Sequence, residues 1–238
     1  MKFWNFINKP EEAELRIEGD IVDDDNAWVY EMFEMAATSP NAFKTELEKV
    51  KGKPLTVWID SYGGNVFAAT GIYNALKEHD APVTVKIDGK AMSAATIIAM
   101  AGKEILMSPT SIFMIHNPLT EAYGYASDLR KTADILDEVK ESIMNAYELR
   151  TKQSRDHISD LMDDESYMSA KTAIKEGFAD SMMYEDVEAA PLNFNFNRHK
   201  ILNSTTESVK KIIELQKPVV IPENTELLKA ILALEIEL

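Results

Sequence analysis

Short runs of hydrophobic residues along the chain predict a series of β-strands. Residues 13–22 (AELRIEGDIV) alternate apolar and polar side chains, which is the pattern of a half-buried strand. Residues 55–60 are mostly apolar, as expected of a strand that is covered on both faces of a sheet, and residues 83–87 (VTVKI) predict another strand. Two more apolar runs predict strands at 104–107 and 112–115.

The segments between these strands contain glycines and stretches whose apolar residues recur with helical spacing. Residues 61–64 (SYGG) and Gly89 interrupt the apolar pattern and predict turns. Residues 66–78 predict a helix, and residues 93–100 predict an almost wholly apolar helix that begins at Ser93. Because strands and helices alternate, the sequence predicts an α/β domain with parallel strand pairing.

Two amphipathic segments flank this alternating region. Residues 27–36 predict a helix, and its buried face would consist of Trp28, Met32, Met35 and Ala36. Residues 127–150 predict a long helix, and its apolar stripe consists of Leu129, Thr132, Leu136, Val139, Ile143 and Tyr147. The long helix exceeds what packing on a small sheet needs, so we expect it to project and to pair with another subunit.

The composition of the chain changes after about Val187. A helix at 170–175 and a final strand at 178–183 precede this point. Residues 191–200 (PLNFNFNRHK) are rich in asparagine and have no clear period, which predicts a linker, and a last helix is predicted at 226–238. We therefore expect a domain over residues 1–187 and a linker with a helical C-terminal tail over residues 188–238.

Composition and charge exclude several classes of function. The formal net charge of −15 at pH 7 repels phosphate backbones, so we expect no nucleic acid partner. The chain has no cysteine, which rules out disulfides and a cysteine nucleophile and is typical of a cytoplasmic protein. No stretch approaches the ~20 apolar residues of a membrane span, and the first residues lack the apolar core of a signal peptide. The four histidines form no HExxH pattern, so we expect no metal.

Three short segments carry residues with catalytic chemistry. They are Asp60 to Val66 (DSYGGNV), Gly89 to Ala95 (GKAMSAA) and Met114 to Pro118 (MIHNP). Each has an ordinary structural explanation by itself: a turn, a serine that caps a helix, and a buried histidine. In the functional explanation, paired glycines let backbone amides approach a ligand, and the Ser93 hydroxyl lies beside free amides where an oxyanion would form.

Taken together, the three segments resemble the proteolytic subunit of the Clp protease family. The resemblance runs from about residue 15 to residue 180 and includes IAMAG after Ser93 and DESYMSAKTAIKEGFAD at 164–180. Within that family the sequence resembles most the Clp-like head maturation proteases of phages and prophages, which share an insertion before the glycine motif. The resemblance implies a crotonase-like α/β fold of repeated ββα units with a projecting interface helix.

The resemblance also assigns roles to residues of this sequence. The family nucleophile falls on Ser93 and the general base on His116. The oxyanion amides fall on Gly64 and Ala94. A Ser-Lys dyad with Lys90 as the base is an alternative to a solvated lysine at that position.

The third member of the triad departs from the family pattern. In the family it is an aspartate two residues before an aromatic residue. The aromatic is Tyr167, so the position is occupied by Glu165, with Asp164 as the alternative. Glutamate can orient a histidine, although its extra methylene changes the reach of the carboxylate.

The function implied by the resemblance is that of a serine endopeptidase. It would cleave polypeptide substrates inside a homo-oligomeric ring, without a cofactor or a membrane. Its partners would be an ATP-dependent unfoldase, as in cellular relatives, or phage capsid and scaffold proteins, and the insertion and tail favour the phage role. One alternative is an acyl-CoA hydratase or hydrolase of the same fold, which would not need the Ser93–His116 pair. Another is a catalytically impaired assembly or scaffold protein, which the glutamate at position 165 favours.

Overall fold

The computed structural model describes residues 7–8 and 11–184, so the linker and tail predicted over 188–238 lie outside the described residues. The strands are β1 (Ile7–Asn8), β2 (Ala13–Ile21), β3 (Ala37–Thr38), β4 (Leu55–Gly64), β5 (Val83–Met92), β6 (Glu104–Met107), β7 (Ile112–Ile115), β8 (Ser166–Ser169) and β9 (Ser181–Met182). The helices are α1 (Ala27–Met32), α2 (Pro40–Glu48), α3 (Val66–Lys77), α4 (Ala94–Ala99), α5 (Ala126–Thr151), α6 (Arg155–Asp163) and α7 (Ala170–Lys175).

A mostly parallel sheet forms the centre of this mixed α/β fold. The main order of its strands is β1-β2-β4-β5-β6-β9, and all neighbours after β1-β2 are parallel. The first half of β5 pairs with β6, whereas its last residues pair with β7, which in turn pairs antiparallel with β8. The carboxyl end of the long strand β5 therefore lies between β4 and the β7–β8 pair.

One face of the sheet forms the core. Alternate side chains of β2, β4 and β5 are fully buried, including Ile17, Ile59 and Ile87. The positions between them are half-buried, and Trp58 and Lys86 stack across the strands with the ammonium 5.0 Å from the ring centroid. The prediction that β4 is covered on both faces is thus wrong within the described part of the chain.

Both central strands continue through residues that the sequence predicted to be turns. β4 runs through residues 61–64 and β5 runs past Gly89 to Met92. A register shift between Ile59 and Ser61 in the β4–β5 pairing accommodates the glycines without ending the strands. The glycine motif and the residues before Ser93 consequently lie side by side in the sheet.

The helix predicted near the N-terminus is shorter than expected and has no buried face. α1 has six residues, and Trp28 and Met32 are each about 60% exposed. Phe33 ends the helix and Glu34 adopts a positive φ, so the chain turns before Met35, which is also exposed. The apolar spacing of this segment therefore marks a surface and not a core face.

The long helix α5 is attached to the core near its C-terminal end. Its buried residues are Ile143, Met144, Ala146 and Tyr147, and none of its earlier residues is buried. Leu129, at the other end of the predicted stripe, and its neighbour on the helix Ile135 are about half exposed. No helix within residues 11–184 combines the length and the apolarity needed to cross a membrane.

Candidate active site

Ser93 occupies a sharp turn between a strand and a helix. It follows Met92, the last residue of β5, and precedes Ala94, the first residue of α4. Its φ of 52° and ψ of −126° are unusual for a residue with a side chain, and the Ser93 amide donates a 2.9 Å hydrogen bond to the Met114 carbonyl. The hydroxyl makes no capping bond to α4, so the cap explanation for this serine is wrong.

The Ser93 hydroxyl instead contacts the imidazole of His116. Ser93 Oγ lies 2.7 Å from His116 Nε2. His116 follows the last residue of β7 and is half-buried. Burial lowers the pKa of His116 below its ordinary value, and the charge of Glu165 offsets part of that effect. A neutral imidazole in this position can accept the hydroxyl proton.

The pairing of β7 with β8 sets the position of Glu165. Ile115 pairs with Ser166 in the antiparallel register, so the next pair along the strands would be His116 and Glu165. Glu165 is half-buried and adopts a φ of 47°. Asp164 is the exposed C-cap residue of α6. The register therefore places the Glu165 backbone opposite His116.

The segment after His116 is held by an ion pair between Lys140 and Asp163, which the sequence pattern did not indicate. Asn117 Nδ2 donates a 2.7 Å hydrogen bond to Asp163 Oδ1, and Lys140 Nζ lies 2.6 Å from the same oxygen. Lys140 and, to a smaller extent, Asn117 lower the pKa of Asp163 below its ordinary value. The three residues belong to different segments, so no local pattern could have linked them.

The glycine motif passes very close to the Ser93 turn. Gly63 has a φ of 101°, and a Cβ on it would lie 2.8 Å from Ser93 Cβ and 2.9 Å from the Ala94 nitrogen. Gly64 has a φ of 139°, and a Cβ there would lie 2.1 Å from the Ile21 carbonyl oxygen. Only glycine satisfies both the space and the backbone conformation at these two positions.

Buried polar contacts hold the glycine motif in place. The Ser61 hydroxyl donates a 2.6 Å hydrogen bond to the Gly19 carbonyl and accepts a 3.0 Å bond from the Gly63 amide. Ser61 is fully buried, so these two bonds satisfy a hydroxyl that would otherwise be costly to bury. The sequence pattern predicts Ser61 only as a turn residue and gives no sign of these contacts.

Lys90 is engaged with Asp60 and Tyr62. Its ammonium lies 2.6 Å from Asp60 Oδ1 and 4.2 Å from the Tyr62 ring centroid. The Lys90 side chain is 23% exposed, so it is not a freely solvated lysine. These contacts do not support the Ser-Lys dyad, because the contacts found for the ammonium lead to Asp60 and Tyr62.

A cavity of about 390 Å³ adjoins the glycine motif and the segment after His116. Its lining comes from both of these segments and from α5, and it consists of Gly64, Asn65, Val66, Phe67, Pro118, Leu119, Thr120, Thr132, Ile135, Leu136 and Val139. Most of these side chains are apolar. The cavity can therefore accept an apolar group next to the glycine motif and the segment that follows His116.

The sequence matches a known protein family over more than half of the chain. A family model described as "Clp protease" matches residues 44–186. Two proteins from strains of Bacteroides fragilis and one from Bacteroides thetaiotaomicron, all named ATP-dependent Clp protease proteolytic subunit, are 31% identical over 134 residues. The matches cover 56% of this chain and 61–65% of the relatives. The chain thus spans less than two thirds of the length of these relatives.

The interaction of His116 with Glu165 predicts a measurable effect on the histidine pKa. We expect the His116 pKa to lie below the ordinary value of 6.5, because burial outweighs the carboxylate charge. Glu165→Gln should lower it further, because the substitution removes the charge that raises it. Histidine NMR titration, assigned with His116→Gln, measures both values. Asp164→Asn is the matched control, and a larger shift in that variant than in Glu165→Gln would contradict the register argument.

Proposed function

The chain belongs to the Clp protease family, and from that premise we propose that it is a serine endopeptidase that cleaves polypeptide substrates. The observation that carries the proposal is the 2.7 Å contact between Ser93 Oγ and His116 Nε2. A hydroxyl is a weak nucleophile unless a neighbouring base removes its proton, and a neutral histidine at this distance is such a base.

The reaction would follow the acyl-enzyme route. Ser93 Oγ attacks the peptide carbonyl carbon while His116 Nε2 takes the hydroxyl proton, which gives a tetrahedral oxyanion. His116 then returns the proton to the leaving amine as the carbon–nitrogen bond breaks. Water, activated by the same imidazole, attacks the acyl-enzyme and releases the carboxylic acid and free Ser93. No metal or organic cofactor enters these steps.

The oxyanion would be stabilised by the backbone amides of Gly64 and Ala94. The proximity of Gly63 to the Ala94 nitrogen supports this assignment, because it brings the glycine strand next to that amide. Preorganised amides stabilise the charge that develops during attack and require no reorganisation at that moment. The proposed catalytic machinery has two parts. The triad consists of Ser93, His116 and Glu165, and the oxyanion amides are those of Gly64 and Ala94.

The cavity beside the site supports a peptide substrate. Val66, Leu136 and Val139 supply apolar walls, and the exposed Phe67 and Leu119 extend them outward. A side chain of the substrate can enter this space while its carbonyl faces Ser93. Apolar burial then contributes roughly 25 cal/mol for each Å² removed from water, which is binding energy remote from the reacting bond.

We further propose that the chain forms a homo-oligomeric ring and adopts the crotonase-like fold of the family, with residues 188–238 as an appended tail. The exposed apolar end of α5 supports assembly through that helix. The segments between β2 and β4 and the tail support a phage or prophage role in capsid or scaffold processing, in the cytoplasm. The alternative to this phage role is the degradation of proteins that an ATP-dependent unfoldase delivers, which would use the same chemistry.

A second candidate is an assembly protein of the same fold with impaired activity. The observation that favours it is Glu165, which replaces the aspartate of the family pattern and whose longer side chain alters the position of the carboxylate. This candidate and the peptidase differ in whether Ser93 reacts as a nucleophile.

Ser93→Ala should abolish hydrolysis and leave the fold intact. Loss of a triad member lowers turnover on the order of a million-fold, whereas alanine loses only a hydroxyl that makes no capping bond. Peptide hydrolysis and intact mass after a fluorophosphonate probe would be measured together, with thermal melting as the folding control. The wild type should gain one phosphonyl group and the variant none. An unreactive wild type would favour the assembly protein, and hydrolysis by the pure variant would refute the assignment of Ser93.

Glu165→Gln should cut turnover much more than Asp164→Asn. An amide at the position that orients the histidine favours the wrong tautomer, and the corresponding change in a template enzyme costs ~10⁴-fold. Turnover would be compared near neutral pH, with Asp164→Asn as the matched neighbouring variant. If Asp164→Asn lost most of its turnover while Glu165→Gln kept a normal rate, Asp164 would be the residue that orients His116. Full activity in both variants would indicate a Ser-His dyad.

Leu129→Glu and Ile135→Glu should each lower the oligomeric state. Both residues are exposed on α5, and burying an unpaired charge in an interface is costly. Sedimentation velocity at micromolar concentration measures the change, with Ser127→Glu on another side of the helix as the matched control. A monomeric wild type, or equal dissociation in the control, would contradict assembly through this end of α5.

A further inference from the structure

A buried pair of hydroxyl groups links α4 to α5 behind the Ser93 turn. Thr96 lies in α4 and Tyr147 lies in α5, and both side chains are fully buried. Thr96 Oγ1 lies 2.6 Å from the Tyr147 hydroxyl oxygen and 2.5 Å from the Ser93 carbonyl oxygen. These distances join two residues 51 positions apart to the backbone of the nucleophile.

The direction of these hydrogen bonds follows from the groups involved. A carbonyl oxygen can only accept, so Thr96 uses its single hydroxyl proton in the bond to Ser93. Tyr147 must therefore donate its own proton to Thr96 Oγ1. Burial raises the pKa of Tyr147 well above its ordinary value, so the phenol keeps that proton across the range in which proteins function.

The Ser93 carbonyl belongs to the same peptide group as the Ala94 amide. In a planar trans peptide the C=O and N–H bonds point in opposite directions. The carbonyl is held on the Thr96 side by the Thr96 hydroxyl and also by the Thr96 amide at 3.0 Å. The Ala94 N–H consequently points away from Thr96, and the Ala94 nitrogen lies beside Gly63.

The conformation of Ser93 explains why such a restraint is needed. With φ at 52° and ψ at −126°, Ser93 lies in a sparsely populated backbone region, and such conformations persist only when the surroundings enforce them. Rotation of the Ser93–Ala94 peptide would relieve the strain and turn the Ala94 N–H out of the site. The Thr96 hydroxyl opposes that rotation from one side of the peptide plane.

Tyr147 is itself rigidly held. Its ring packs edge-on against Phe178 with centroids 5.5 Å apart, and Phe178 packs against Phe113 at 5.3 Å. Phe113 is in β7, the strand that precedes His116. The same aromatic cluster thus supports the strand of the base and the hydroxyl pair behind the nucleophile.

We propose that Thr96 and Tyr147 are positioning residues that lock the Ser93–Ala94 peptide with its N–H directed at the oxyanion. The proposal rests on the proposed peptidase function and adds to it two residues that touch no substrate. Their effect is on the transition state, because the oxyanion forms only there.

Three variants test the lock: Thr96→Val removes the hydroxyl at nearly constant volume, Thr96→Ser keeps it, and Tyr147→Phe removes only the donor to it. We expect Thr96→Val to lower kcat by about ten- to a hundred-fold with KM changed by less than about twofold, since loss of a whole oxyanion donor costs ~10²–10³. Tyr147→Phe should have a smaller effect in the same direction, and Thr96→Ser should restore most of kcat.

An inhibitor comparison separates this role from a merely structural one. A peptide aldehyde forms a tetrahedral adduct with Ser93 Oγ, so its affinity should fall by about the factor by which kcat/KM falls. The amine-side product peptide, which has no carboxylate to place in the oxyanion position, should bind equally to all variants. Thr45→Val is the matched control, because Thr45 also donates its hydroxyl to a backbone carbonyl, that of Asn41 in α2. Unchanged kcat and aldehyde affinity in Thr96→Val, or equal losses in Thr45→Val, would overturn the lock.

Crystal structures of the wild type and Thr96→Val test the lock without any activity. A rotated Ser93–Ala94 peptide, or a Ser93 φ that has become negative, is the expected result for the variant. An unchanged peptide would overturn the proposal whether or not the protein hydrolyses peptides. A wild type that neither hydrolyses peptides nor reacts with the fluorophosphonate refutes the peptidase function, while the two structures still decide the lock.

Discussion

The close passage of one backbone beside another is the constraint on which the site depends. β4 must lie beside the Ser93 turn, and a Cβ at Gly63 would lie within 3 Å of Met92, Ser93 and Ala94. The strand can make this approach because it remains in the sheet: it pairs with β5 as far as Ser61 and with β2 through Gly63 and Gly64. Backbone pairing thereby brings the Ala94 nitrogen, the serine and the glycine strand together within a few ångströms.

The rest of the site is built outward from that contact by strand pairing. β5 carries Ser93 at its end, β7 carries His116, and β8 begins one residue after Glu165. Each of these residues follows or precedes a strand, so the sheet fixes their spacing and leaves their side chains free to meet. Burial lowers the pKa of His116 and the charge of Glu165 raises it. Because burial has the larger effect, the pKa is lowered and the neutral imidazole is favoured.

The local sequence pattern was sufficient to predict the helices and strands whose burial follows from their own residues. The strands at 104–107 and 112–115 and the helix at 170–175 were predicted with the bounds that the structure has. It failed where tertiary contacts override local preference. Gly63 and Gly64 look like part of a turn, yet they remain in a strand because β2 pairs with both of them. The spacing of Trp28 and Met32 looks like a core face, but both side chains are exposed.

The same distinction applies to the site. The short contact between Ser93 and His116 was expected from the family resemblance, whereas β8 was not predicted as a strand, so its register with β7 became visible only in the structure. The contact between Thr96 and Tyr147 could not have been read from the sequence, because a threonine in an apolar helix and a tyrosine in a stripe are ordinary core residues. Pairings between distant segments are decided by the assembled fold and carry no local signal.

The attachment of α5 makes it a lever. The helix has 26 residues and is therefore about 39 Å long, and roughly 25 Å of it precede Ile143, its first buried residue. A rotation of ~5° about the anchored end would move the far tip by roughly 2 Å over that length. Conversely, a force applied at the far tip produces a larger force at the anchored turn, where Tyr147 is linked through Thr96 to the Ser93 carbonyl.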